Sequence, residues 1–200
     1  NPKNPLLWRG LVETHLELQQ YKEAAESAMR LLQLRPRWFA DVVLKFEQAA
    51  LYNPYNLSIR LALADIYQFS GEASEAVHEL EEVLELDPNR IEAAQSLSRL
   101  YYKLGRGPEV IQLLDAIQDW SKADLNMLLF MAKAYFRERQ WERAARLFER
   151  AYTVEADISI LKNLFEIYVQ QHDFERLTQV GMRILGQYPS SADWLRDQME

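Results

Sequence analysis

The chain has 200 residues, with 23 Lys and Arg against 30 Asp and Glu, for a net charge of -7. That balance argues against general affinity for nucleic acid, whose phosphates demand cations. With 48% apolar and 26% charged residues a packed core is expected rather than disorder. The absence of cysteine excludes disulfides and thiolate metal sites. The apolar runs fall far short of the ~20 residues that cross a bilayer, so no membrane insertion is expected. The chain opens on a polar turn, Asn1 to Pro5, and stops at Glu200 inside a new helix, as a piece of a longer protein would. No compartment is assigned to it; a soluble protein is expected, cytoplasmic or nuclear by default, with the periplasm left open.

Taken in order, residues 5–38 predict two helices and carry Trp8, Leu11, Tyr21, Ala24, Leu31 and Pro36. Residues 39–56 predict one helix, with Phe39, Val42, Val43, Phe46, Ala49 and Ala50 in one apolar stripe that Trp38 leads into. Residues 57–90 give the clearest hairpin: Leu63, Ala64 and Tyr67, a turn at Gly71, Ala76, and a stop at Pro88. Residues 91–124 repeat it with Leu97, Tyr101, Gly105 and Ile117. Residues 125–157 carry Ala132, Tyr135, Trp141, Ala144, Phe148 and Ala151. Residues 158–191 carry Leu164, Tyr168, Phe174, Leu177, Ile184 and Pro189, and 192–200, with Asp193 and Trp194, begin a further helix. The step from copy to copy is about 34 residues, one shorter at the last. A hairpin of this kind cannot cover its own apolar face and needs neighbours.

These residues resemble the tetratricopeptide repeat (TPR) signature, most closely in the first and fourth copies. The resemblance spans nearly the whole chain and implies an all-α fold, a right-handed α-α superhelical solenoid of helix hairpins. Two copies depart from the pattern. Gly107 and Val110 replace an aromatic and an alanine in the third, and Gly181 replaces a bulky residue in the fifth, so both are expected to pack less tightly. The period breaks once, because Pro36 and Pro54 are separated by little more than half a step. Residues 39–56 then match the second helix of a repeat whose first helix is missing. A helix of about 15 residues is ~22 Å long, and a two- or three-residue linker spans at most ~10 Å. The expectation is a segment of about 16 residues omitted near 36–38, the remainder of one period, in preference to a helix that turns back.

No chemistry-bearing constellation emerges, so neither an enzyme nor a cofactor is expected. His15, His78 and His172 lie in separate repeats. His15 stands where other copies place tyrosine and reads as a packed core residue, and His172 reads as a solvated turn residue. The acidic run from Glu72 to Asp87 reads as a solvated outer face. The recurring tyrosines read as packing between helices.

The resemblance implies a groove lined by the first helix of each repeat. First-helix residues outside the core stripe are its candidates: Arg9, Glu13 and Leu16, then Leu61, Asp65 and Gln68, then Gln95, Arg99 and Tyr102. The fourth copy adds Asn126, Leu129, Lys133 and Phe136, and the fifth Lys162, Glu166 and Val169. The family's carboxylate clamp is not expected, because Glu13 and Glu92 would repel its ligand. Arg99, Tyr102, Asn126, Lys133, Phe136 and Lys162 are the expected partner-binding residues, cations beside aromatics that suit an acidic or aromatic-bearing peptide. The plain alternative pairs Lys133 with Glu166 or Asp65. The function expected is a protein–protein interaction scaffold or adaptor. An assembly or regulatory subunit of a multiprotein complex, for secretion or transcription, acting through convex or terminal surfaces, is the other reading. Self-association through a repeat end is expected from apolar Ile184 and Trp194 left uncovered there, or by exchange of the helix around Phe39 to Tyr52.

Overall fold

A computed structural model describes residues 3–116 and 123–199, so Ile117 and the rest of 117–122 lie outside the described residues. Among the described residues there are twelve α-helices and no strand. First helices are α1 (Pro5–Glu17), α4 (Leu57–Ser70), α6 (Ile91–Lys103), α8 (Leu125–Arg137), α10 (Ile158–Gln170) and α12 (Ala192–Met199). Second helices are α2 (Tyr21–Leu34), α5 (Ala73–Leu86), α7 (Gly107–Ala116), α9 (Trp141–Val154) and α11 (Phe174–Gln187), and α3 (Phe39–Tyr52) stands outside this alternation. The fold is all-α, as the resemblance implied.

Local chemistry sets the helix ends. Asn4, Asn56, Asp124 and Asp157 each accept a backbone N–H of the first turn of α1, α4, α8 and α10 through their side chains. The turn after each of α1, α4, α6, α8 and α10 is made by one residue in the left-handed region: Gln19, Gly71, Gly105, Arg139 and His172, with φ between 54° and 88°. Glycine meets that conformation freely at Gly71 and Gly105, and the other three side chains are held there by the hairpin they close. His172 is exposed, as expected of a turn residue.

The chain divides into two compact units, Asn1–Leu104 and Gly105–Glu200. In the first, α1 pairs with α2, α4 pairs with α5, α2 packs on α4, and α5 packs on α6. Its core is Ala24, Ala28 and Leu31 of α2, Ile59, Leu63 and Ile66 of α4, and Ala76, Leu80 and Val83 of α5, all at most 1% exposed. Alanines at these crossings let helix axes approach closely, and each fully buried leucine or isoleucine contributes about 1.5–3 kcal/mol. A 3-10 turn over Pro36–Trp38 carries the chain from α2 into α3, which packs on α4 through Val42, Val43 and Phe46. The ring of Phe39 meets Tyr67 edge-on at 6.1 Å.

In the second unit α7 packs on α8, α8 pairs with α9, α9 packs on α10, α10 pairs with α11, and α12 closes against α11. Phe148 and Leu161 are fully buried. Gly107 is buried, and the Glu138 carboxylate lies where a Cβ on it would stand.

Four first helices are also tied to the helix before them by a tyrosine. Tyr67 donates its hydroxyl to Glu47 at 3.2 Å, Tyr135 to Asp115 at 2.7 Å, Tyr168 to Glu149 at 2.7 Å, and Tyr101 to Glu81. These residues are 1–8% exposed. Burial, followed by the adjoining Glu47 charge and hydrogen bond, pushes the Tyr67 hydroxyl up to about 12. Burial and the Asp115 and Glu149 bonds also push Tyr135 and Tyr168 up, so all three remain neutral donors across the ordinary pH range.

Three expectations are corrected. His15 is half-buried rather than packed in the core, and its Nδ1 lies 2.9 Å from Gln20 Oε1. Ile184 is 0% exposed, on the side of α11 that packs into the unit, and Trp194 is half-buried against Phe165 at 5.5 Å. The acidic run on α5 is not all solvated: Glu79 and Glu82 hold Arg60 of α4 at 3.0 and 3.4 Å, and Glu81 takes the Tyr101 hydroxyl.

These two kinds of contact carry different energies. Phe148→Ala is expected to cost about 3–5 kcal/mol, because it leaves a cavity in a closed core. Tyr168→Phe is expected to cost about 1 kcal/mol, because water can solvate the exposed Glu149 carboxylate once the hydroxyl is gone. Urea titrations followed by circular dichroism check both; equal losses would contradict this division.

Candidate partner-binding surface

The residues available to a partner are those that the core stripes leave out. On α6 the buried set is Ala93, Ala94, Leu97, Ser98, Leu100 and Tyr101, which leaves Arg99 exposed and Tyr102 half-buried. Ser98 fits this stripe by donating its hydroxyl to Ala94 O at 2.7 Å. On α8 the buried set is Met127, Leu128, Met131, Ala132, Ala134 and Tyr135, which leaves Asn126 and Lys133 exposed and Phe136 half-buried. Arg99 and Tyr102 belong to the first unit, and Asn126, Lys133, Phe136 and Lys162 belong to the second.

The second unit treats its four residues differently. Lys133 makes no ion pair with Glu166 or any other described residue, and Asn126 faces solvent. Phe136 is engaged within its hairpin, edge-on to the Trp141 ring at 5.2 Å. Lys162 sits with its Nζ 4.5 Å above the Trp194 ring of α12, so its charge is already received by an aromatic face. Two arginines bind beside the tyrosine contacts. Arg143 lies over Tyr135 at 5.4 Å and bridges both oxygens of Asp115 at 2.8 and 2.7 Å. Burial pushes the Asp115 carboxyl up, but the bonds from Arg143 and Tyr135 outweigh it and hold it low. Arg176 lies over Tyr168 at 4.7 Å and binds Asp173 at 2.6 Å and Glu142 at 3.4 Å.

In the first unit the corresponding faces are largely occupied. Asp41 of α3 binds Arg9 at 3.7 Å, Lys45 binds Glu13 at 3.1 Å, and Arg9 lies 5.4 Å over the Trp38 ring. Two of the sequence-derived groove positions on α1 are therefore met by the chain's own irregular helix. Asp65 on α4 is exposed, with Glu92, Lys22 and Glu26 near enough to act on its carboxyl. Desolvation and then the Glu92 charge push its carboxyl up, Lys22 offsets part of this, and Glu26 adds to it. Arg99 on α6 makes no ion pair with a described residue.

Sequence reasoning missed the tyrosine acceptors. Their signal was present, because Glu47, Glu81, Asp115 and Glu149 recur at the repeat period. Among the described residues no three His, Cys, Asp or Glu side chains are placed to hold a metal ion, and no helix is long and apolar enough to cross a membrane.

A family model described as "Psidin, N-terminal TPR repeats region" matches residues 62–192. The TPR repeat-containing protein YpiA of Bacillus subtilis (strain 168) is 31% identical over 101 residues, half of this chain. This chain spans about a quarter (24%) of that relative's length. Two solved structures share the fold. One is YrrB, described as a TPR protein with an unusual peptide-binding site, with TM-score 0.66 and 12% identity, covering 92% of this chain and 96% of that one. The other is MamA, residue 41 to the end, from Desulfovibrio magneticus RS-1, with TM-score 0.61 and 15% identity, covering 94% and 97%.

Asp65 gives a pH test. Its folded state holds a proton more tightly than the unfolded chain does, so its contribution to stability is greatest in acid. That contribution is lost as pH rises through the window above the usual carboxylate range. Asp65→Asn is therefore expected to raise the thermal midpoint at neutral pH, with the gain shrinking on acidification below that range. A gain that grows in acid would contradict the assignment.

Proposed function

Because this chain belongs to the TPR family matched by the Psidin N-terminal repeat region, we propose that it is a protein-interaction scaffold whose first helices bind a partner peptide or protein. It carries out no reaction of its own in this reading. The observation that supports it is the state of two cations. Arg99 and Lys133 stand one repeat period apart, at one position of the repeat, each exposed and without an ion pair among the described residues. Tyr102 and Phe136 stand three residues after them in the same register.

Several other cations of the chain are committed: Arg9, Lys45, Arg60, Arg143 and Arg176 all have carboxylate partners. Arg99 and Lys133 keep their charge available, and a half-buried aromatic ring beside each supplies apolar area at low entropic cost. The ligand chemistry that fits is an acidic segment carrying an aromatic or aliphatic anchor. Asn126, two turns before Lys133 on the same face of α8, supplies both a donor and an acceptor for an extended backbone. Lys162 contributes less than its sequence position suggests, since Trp194 already holds it.

The test is a peptide array of Asp- and Glu-rich sequences around a central Trp or Leu, probed with the labelled chain. Binding of the selected peptides is expected to fall about tenfold for Arg99→Glu or Lys133→Glu, a loss of about 1.4 kcal/mol each. Tyr102→Ala with Phe136→Ala is expected to abolish binding while the helical circular dichroism remains. Selection of basic peptides, or affinity unchanged in the charge reversals, overturns the proposal.

A further inference from the structure

We propose that the outer face of α3 docks an amphipathic helix of a partner protein, one with an apolar stripe and a carboxylate at one end. This surface is separate from Arg99 and Lys133 and stands without their assignment. Leu44 and Leu51 are seven residues apart, so they share one side of α3, opposite the buried Val42 and Phe46. They are 52% and 78% exposed, and Tyr52 and Tyr55 at the end of the helix are 83% and 82% exposed. The helix lies inside the first unit, not at an edge of it. On one flank Asp41 and Lys45 bind Arg9 and Glu13 of α1, and on the other Phe39 and Glu47 meet Tyr67 of α4. Both neighbours are in place, and they still leave this side in water.

The stripe sets α3 apart from the other second helices that a proline follows. Leu44 and Leu51 stand ten and three residues before Pro54, and Tyr55 one residue after it. The same positions around Pro36 hold Glu26, Gln33 and Arg37. Around Pro88 they hold His78, Glu85 and Asn89, and around Pro189 Gln179, Gly186 and Ser190. None of those nine is a large apolar residue. A single exposed leucine is ordinary on any surface. Two leucines and two tyrosines together, where the equivalent positions are polar or small, mark an interaction face.

The surroundings decide what can cover it. The backbone groups of α3 are bonded within the helix, so an extended peptide laid on this face would bury its own N–H and C=O groups unpaired. A helix brings those groups already paired. From Arg37 to Tyr52 the face runs about 22 Å, about four turns of a partner helix. Along the stripe the charges are already taken: Asp41 by Arg9, Lys45 by Glu13, and Glu47 by the Tyr67 hydroxyl. At its start they are not. Arg37, about two turns before Leu44, is exposed and makes no ion pair among the described residues, and Arg35 beside it bonds only the Leu34 carbonyl, at 3.2 Å. The complement is a helix that is apolar along one side and acidic at the end beside Arg37. A second copy of α3 does not supply that acid, because its Asp41 and Glu47 are spent.

The probe is a fluorescein-labelled synthetic helix of about 18 residues, with one leucine stripe and two glutamates in its first turn, where they also stabilise the helix. Fluorescence anisotropy is expected to show saturable binding with a Kd of about 10–100 µM. Leu44→Asp and Leu51→Asp are each expected to weaken it about tenfold or more at unchanged helical circular dichroism, since both side chains already face water. Arg37→Glu is expected to weaken this probe about fivefold and to strengthen, by a similar factor, a probe with lysines in place of the glutamates. Comparing the two probes on both chains cancels any difference in their own helicity. Absence of binding, equal binding of a scrambled probe, or indifference to Leu51→Asp and Arg37→Glu overturns the proposal. So does a doubled mass in light scattering at about 100 µM that Leu51→Asp returns to a single copy, which assigns the face to self-association. Binding of the probe is expected to be unchanged in Arg99→Glu and Lys133→Glu, so this surface and that one fail separately.

Discussion

The stacking of these hairpins depends on a buried tyrosine whose hydroxyl reaches a carboxylate on the helix before it. A tyrosine that is 1–8% exposed cannot leave its O–H without an acceptor, because an unmatched buried hydroxyl costs about 1–3 kcal/mol. The acceptor comes from 19 or 20 residues upstream. The bond therefore joins one hairpin to the next rather than the two helices of one hairpin. Apolar stripes would tolerate a slide along the helix axis, whereas a hydroxyl bond of 2.7–3.2 Å does not. Because the carboxylates of Asp115 and Glu149 remain exposed, the contact fixes register without the penalty of burying a charge.

Most of the fold was legible because its signals are local. Apolar spacing and the Asn, Asp, Gly and Pro residues at helix ends each act within one turn. Legibility failed where the controlling partner lies in another helix. Glu47, Glu81, Asp115 and Glu149 look like surface charges when only the apolar stripe is followed, and their common period is the only trace of their task. Gln19, Arg139 and His172 take the left-handed conformation of Gly71 and Gly105 without the glycine that announces it. The closed hairpin imposes that conformation, and the residue bears its cost. His15 followed the tyrosine register in sequence, yet its imidazole turns to Gln20 at the helix end.

The candidate surface was legible to the same degree. Subtracting the core stripe from each first helix places Arg99, Asn126 and Lys133 in solvent. The same subtraction does not reveal that Trp141 takes Phe136, that Trp194 takes Lys162, or that α3 takes Arg9 and Glu13. Those partners come from second helices, from α12, and from the one helix that breaks the period. The short step between Pro36 and Pro54 marks α3 as irregular, and Glu47 on it still serves Tyr67 as the equivalent acids serve their tyrosines. An irregular helix can thus keep the register contact while covering positions that a regular repeat leaves open.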